Sequence, residues 1–302
     1  FNGMILALSM PARQAFVPEL IPDHLLFAAM GLNTTGWNLA RIVGPALAGL
    51  LIAVLAGGDN TSAFGVGMVY VMIAALYGLS ALTMLLITQN GRVKQDTQQN
   101  AWHDVREGLN YVAKHPPVLG LIVLSIIPFL FGMPLNTLLP AFNEQVMGGG
   151  PDNLGFLVSA MGLGAIVGSL MMATMGGLLS KGLWLIGSCL VWGALTAAFG
   201  LSEAHGLIFV LIAAIGWVSS WNMSLNRGML QMQVDNQMRG RIMSIDMMSH
   251  GLMPIGVFPI SLVAEYYGVG NALVVSGLAL VVLTVLSVIL IPSVRTTDRA
   301  VV

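Results

Sequence analysis

In this chain of 302 residues, 56% are apolar, only 8% are charged, and the net charge is −1. A soluble domain carries about 25% charged residues, so this chain cannot keep a water-facing surface and its outside must meet lipid. The near-neutral balance excludes binding nucleic acid through bulk electrostatics, and one cysteine, Cys189, excludes a disulfide framework or a cysteine metal site.

The first ten residues, Phe1 to Met10, are apolar but too few to cross a bilayer, which takes about 20 residues of helix. They lack the basic start and small-residue cleavage site of a signal peptide. They read as the later part of a helix, and the chain as a fragment. Eight longer apolar segments come after them, at about 35–56, 63–88, 118–142, 154–179, 183–202, 207–230, 242–266 and 272–291. Their period is helical; Ser169, Ala173 and Gly176 share one face of the fourth. Strands of a membrane barrel would alternate over about ten residues instead. The fold class expected is all-α, a polytopic membrane protein with eight full spans.

The links fix an orientation. Arg13 precedes the first span, and Arg92, Lys94, Arg106 and Lys114 lie between the second and third. Lys181 comes after the fourth, Arg227, Arg239 and Arg241 gather between the sixth and seventh, and Arg295 and Arg299 come after the eighth. The alternate links hold only acids: Asp59, Glu144, Asp152, Glu203 and Glu265. By the positive-inside rule the basic links and the C-terminus are cytoplasmic, which places the protein as multi-pass in the plasma (inner) membrane. The longest link, 90–117, carries Trp102, Val105, Leu109 and Val112 on one helical face, so an amphipathic helix is expected to lie along the membrane surface there. It divides the chain into the remainder of an N-terminal half at 1–89 and a six-helix half at 118–302. A weak internal repeat, 21–45 against 234–259, supports two related halves.

Within the spans, polar residues are few enough to take one by one. Arg41 is the cation set deepest in a span, at about 2.5–3.5 kcal/mol of insertion cost; it either attracts an anionic substrate or tunes a coupling carboxylate, or it is a clamp paired with a helix expected upstream or lies nearer the cytoplasm. Asn38 shares its face. In the same span Gly36, Gly44, Pro45 and Gly49 combine a kink with close helix contact, as ordinary packing also would. Pro128, Pro134 and Pro140 in the third span free carbonyls that a cavity or a neighbouring helix must satisfy, which makes Phe129 and Asn136 cavity-lining candidates. Asn222, Asn226 and Arg227 fall near the inner end of the sixth span, within reach of headgroups. Asp246 and His250, four apart, share a face of the seventh; they can relay protons, or Asp246 can pair locally with Arg239 or Arg241 at a cytoplasmic gate. Arg13, Lys181, Arg227, Arg239, Gly240 and Arg241 form the set of gate and anchor residues. No clustered catalytic set, metal-ligand pattern or cofactor motif is present, so an enzyme is not expected, and without a Gly-x-x-x-x-Gly-Lys-Ser/Thr loop an ion gradient is the expected energy source.

Four segments carry a family resemblance. These are Pro11-Ala12-Arg13-Gln14-Ala15 with Pro18-Glu19-Leu20, the run from Asn38 to Gly49, Trp102 through Gly108 with Tyr111 and His115-Pro116, and Arg239-Gly240-Arg241 with Ser244. In this order they resemble the major facilitator superfamily, in the branch of enterobactin exporters and macrolide efflux proteins. The resemblance implies a facilitator fold lacking about its first three and a half helices. The family's glycine- and charge-rich link has an echo at Gly176 to Gly182 that keeps the glycines and Lys181 but lacks an Asp. Gly44-Pro45 with Gly49, after Gly36, resembles the antiporter motif of the family's exporters. The resemblance further implies secondary active transport by alternating access in a monomer, with proton-coupled efflux of a small amphipathic molecule such as a siderophore or a macrolide drug. The alternatives are a lipid flippase or importer of the same fold, or a non-transporting membrane sensor.

Overall fold

The computed structural model describes residues 16, 21–22, 25, 28–37, 39–40, 63–86, 101–174 and 180–293. Among these residues all regular structure is helical. A helical segment at 28–37 precedes α1 (Ala63–Leu85), α2 (Ala101–Lys114), α3 (Pro116–Phe131), α4 (Pro134–Gln145), α5 (Pro151–Thr174), α6 (Lys181–Leu201), α7 (His205–Gln233), α8 (Asn236–His250), α9 (Met253–Tyr267) and α10 (Val269–Leu290). Residues 28–35 and those from 101 onward belong to one compact unit; α1 belongs to another.

Six stretches among the described residues are long and apolar enough to cross a bilayer, at Pro116–Gln145, Asn153–Met172, Lys181–Leu201, His205–Gln233, Asn236–Tyr267 and Val269–Leu290. They fall on the last six expected spans, and the 23-residue α1 falls on the second. The first expected span lies mostly outside the described residues.

Two of the six are broken helices, and the breaks arise from the sequence. After α3 the N–H groups of Gly132 and Met133 both turn back to the Pro128 carbonyl, at 2.7 and 3.0 Å, and Pro134 then opens α4. Proline has no N–H to give the Leu130 carbonyl and restricts the residue before it, so the ladder cannot run through. The carbonyls thereby freed are covered by neighbours. Ser276 on α10 donates to the Phe131 oxygen at 2.6 Å, and Gly256 on α9 packs its backbone against the Leu130 oxygen. The second break has the same grammar: tight bonds from Gly251 to Met248 and from Leu252 to Ser249 end α8, and Pro254 starts α9.

The helices from α3 onward bury an apolar core that includes Leu121, Leu135, Phe142, Leu185, Phe199, Ile212 and Leu280, with the Phe142 and Phe199 rings 4.5 Å apart. Helix α10 shows how a membrane helix sorts its faces. Ser276, Thr284 and Ser287 turn inward, while Leu278, Val282, Val285 and Ile289 are exposed. Lipid tails are as apolar as leucine, so helix association rests on close contact and polar bonds rather than on hiding apolar surface. Glycine supplies the contact. Gly164 and Gly168 on α5 lie against the backbones of Ala213 and Trp217 on α7, and Gly216 on α7 lies against Met161. Gly193 on α6 and Gly277 on α10 form a second such seam, where a Cβ on Gly193 would stand 2.7 Å from the Gly277 oxygen.

Replacing Gly277 by Val is therefore expected to lower thermal stability in detergent by about 1–3 kcal/mol, the usual range for overpacking. Gly187, beside which a Cβ meets nothing within 4 Å, is the control: Gly187→Ala should leave the melting temperature unchanged. Equal shifts in the two variants would reject the seam.

Candidate functional site

Two polar centres among the described residues are built on α8. At its N-terminal end, Asp235 precedes the helix and Arg239-Gly240-Arg241 form its first turns. The expected amphipathic helix α2 packs on this end. Arg241 spans two carboxylates of α2, with Nη2 2.7 Å from Asp104 and Nη1 2.8 Å from Glu107. One turn on, Gly108 fits under Ile245 of α8: a Cβ there would stand 2.8 Å from the isoleucine's terminal carbon. Tyr111 donates to the Asp235 carboxylate at 3.4 Å and stacks on His115, with ring centroids 3.9 Å apart. Burial first, and the Asp235 charge next, hold the Tyr111 phenol above its ordinary pKa, so it remains a donor across the physiological range. The apolar stripe read from the sequence is consequently split: Val112 is buried, while Leu109 is 53% exposed.

Two turns further along α8, Asp246 is 1% exposed. Its Oδ1 accepts the Ser125 hydroxyl of α3 at 2.6 Å, and its charge interacts with that of Arg227, half-buried on α7. A carboxylate in an apolar interior is costly unless it is neutralised or given partners. Three separate helices supply the acid, the hydroxyl and the cation. Ser125 and Arg227 thus join the local candidates, Arg239 and Arg241, that the sequence offered as partners of Asp246. The contacts of Arg241 on α2 take that guanidinium to Asp104 and Glu107. One turn before Ser125 on the same helix, the Leu121 carbonyl accepts from Asn226 at 3.0 Å.

Asn222 and Asn226, placed by the sequence within reach of headgroups, are 2% and 3% exposed. Asn222 binds Ser188 at 2.8 Å and Cys189 at 3.1 Å on α6. Each inserts into a helix seam because its amide can satisfy a neighbour's polar group there, which lipid cannot do.

The other sequence candidates are more dispersed. Phe129 is buried and Asn136 half-buried, with Asn136 reaching the Met133 sulfur across the α3–α4 break at 3.4 Å. Lys181 starts α6 after Ser180, whose φ of 62° makes the turn. Gly240 and Gly36 are exposed, and a Cβ at either meets nothing within 4 Å. His250 closes α8, but its side chain lies outside the described residues, as do Arg13, Asn38, Arg41, Gly44, Pro45 and Gly49. Ser125 is the residue that sequence reading misses. Its signal is no more than a lone hydroxyl inside the apolar run from Leu121 to Ile127.

A sequence model of the family described as transmembrane secretion effector matches residues 1–301. The chain belongs to the major facilitator superfamily. It is a multi-pass membrane transporter and not an enzyme. It is 24% identical to the staphyloferrin A transporter of Staphylococcus aureus, over 94% of this chain and 68% of that protein. It is 23% identical to macrolide efflux protein A of Streptococcus pyogenes, over 91% of this chain and 67% of that one. Against the enterobactin exporter EntS of Escherichia coli the identity is 25%, over 80% of this chain and 55% of the exporter.

The Arg241 bridge of this transporter can be measured by a double-mutant cycle with Arg241→Ala and Asp104→Ala, read as thermal stability in detergent. Side-chain exposures of 20% and 28% leave room for water, so a coupling of about 1 kcal/mol is expected. Strictly additive losses would show that the two side chains contribute independently.

Proposed function

We propose that this transporter is a gradient-driven exporter of a small amphipathic molecule, with Asp246 as its coupling acid. The observation carrying this reading is an ionisable group buried inside the bundle, held by a hydroxyl from α3 and interacting through its charge with a cation on α7. A membrane protein keeps a carboxylate in such a place at a cost that function repays. Taking up a proton removes the carboxylate's charge and weakens its attraction to Arg227, so the protonated and ionised forms favour different arrangements of α3, α7 and α8. That is what coupling requires: an ion must interact differently with two states to shift their balance. One charge carried through 100 mV supplies about 2.3 kcal/mol.

The transport cycle in this reading is alternating access in the inner membrane, with residues 1–89 belonging to one half, 118–302 forming the other, and the basic links and C-terminus in the cytoplasm. Similarity to carriers whose names specify staphyloferrin A, macrolides and enterobactin supports siderophore or drug efflux as the substrate class. In this reading Arg41 and Asn38 are the candidate substrate or ion contacts contributed by residues 1–89, and His250, four residues after Asp246 in the sequence, is its candidate relay partner.

The test is efflux from cells or proteoliposomes carrying the full-length protein, across a panel of fluorescent dyes, macrolides and siderophores. Export of at least one compound is expected with the protein present, and identical accumulation with and without it across the whole panel sinks the reading. Asp246→Asn keeps the size and the Ser125 contact but cannot ionise; it should reduce gradient-driven efflux at least about tenfold while leaving the protein folded. Arg41→Ala should likewise abolish flux, and unchanged flux would reject a functional role for Arg41.

A further inference from the structure

A second set of hydroxyls lies away from Asp246, where the helical segment 28–35 meets α5 and α7. Adjacent residues reach different helices. Thr34 accepts the Ser224 hydroxyl of α7 at 2.8 Å, and the Thr35 oxygen lies 2.6 Å from that of Ser169 on α5. The same side chains also bond within their own helices. Thr34 donates to the Met30 carbonyl and Thr35 to the Gly31 carbonyl, each at 2.9 Å, and Ser169 donates to the Ile166 carbonyl at 3.0 Å. A hydroxyl has one proton to donate. Thr35 and Ser169 therefore have two protons for three contacts, and one proton must be shared between the cross-helix bond and a backbone bond.

This over-subscription means the seam can part cheaply. If segment 28–35 withdraws, Thr35 and Ser169 each fall back fully on a carbonyl of their own helix, and Thr34 keeps its bond to Met30. Only the Ser224 proton loses its partner. Opening thus forfeits about one hydrogen bond of the four side chains. The seam between α5 and α7 is the opposite kind: Gly164, Gly168 and Gly216 put backbone against backbone, with no alternative partners. Those two helices stay together as one surface, and segment 28–35 sits on it through bonds that have substitutes.

We infer that Thr34–Ser224 and Thr35–Ser169 form a hydroxyl latch that parts in each transport cycle. The inference rests on the alternating-access reading of function, in which 28–35 and α5–α7 belong to different halves. The latch is sealed in this arrangement, with Thr34 and Ser224 9% and 0% exposed.

The test uses the full-length protein with Cys189→Ser, which removes the native thiol, and has two arms. In the first, Thr34→Cys and Ser224→Cys are combined and cross-linked by mild oxidation; efflux should fall by about tenfold or more and return on reduction. Full efflux by the cross-linked protein would overturn the latch. In the second, Thr34→Cys alone is exposed to N-ethylmaleimide in proteoliposomes, a readout that needs no known substrate. Labelling within minutes is expected, because opening uncovers the thiol, whereas a thiol unlabelled until the protein is denatured overturns the latch even where no cross-link forms. Labelling without export of any panel compound leaves the latch standing and instead rejects efflux as the function.

Discussion

Inside a bilayer an unpartnered carbonyl or N–H costs several kcal/mol, because no water is present to take its place. Much of this molecule can be derived from that one constraint. Prolines break α3 from α4, and Ser276 on α10 reaches the Phe131 oxygen that the break releases. Asn226 of α7 finds the Leu121 carbonyl, and Asn222 finds Ser188 and Cys189. These bonds do not stabilise the bundle by much individually, since transmembrane hydrogen bonds average about 0.6 kcal/mol. What they do is choose partners. An apolar helix can rotate against another apolar helix at little cost, but a helix carrying an amide that must meet one hydroxyl cannot.

Close approach depends on the same absence of water. Without a hydrophobic force between helices, van der Waals contact has to be tight to count, and only glycine lets two backbones touch. The α5–α7 and α6–α10 seams are made this way, from both sides, with Gly193 facing Gly277 and Gly164 and Gly168 facing the helix that carries Gly216. Such seams resist sliding because side chains cannot flex to accommodate a shift of backbone against backbone. Rigid pairs of helices then become the natural units of motion, and mobile contacts must be of another chemistry. Hydroxyls with a fallback carbonyl on their own helix fit that need.

This division explains which parts of the structure could be read from the chain alone. Span positions were legible since length and hydropathy are local properties, and α6, α7 and α10 lie where the apolar runs put them. The breaks at Gly132–Met133 and Gly251–Leu252 were half-legible: Pro134 and Pro254 announce them, yet the runs 118–142 and 242–266 read as single spans. Partner choice was the least legible. The sequence offered Asp246 two nearby cations, Arg239 and Arg241, seven and five residues before it. The Arg241 guanidinium reaches Asp104 and Glu107, more than 130 residues earlier, because Asp246 faces into the bundle toward Ser125 while Arg241 faces α2. Helical geometry already holds the reason. Five residues turn a helix by about 500°, which leaves the two side chains some 140° apart around it.

That angular separation gives α8 two unlike faces. One face carries Arg241 and Ile245 to α2, and so ties the helix to the link between the two stretches of spans. The other carries Asp246 to α3 and toward Arg227 of α7. In the proposed cycle, a shift of α8 driven by a change in charge at Asp246 would pass to α2, where Gly108 packs under Ile245. The break at Gly251 and Leu252, with Pro254 just after it, interrupts the hydrogen-bond ladder between α8 and α9. A short helix pinned at one end by ion pairs, carrying a buried acid at its middle and loosened at the other end by a proline break, is mechanically suited to convert a local change in charge into displacement of the link.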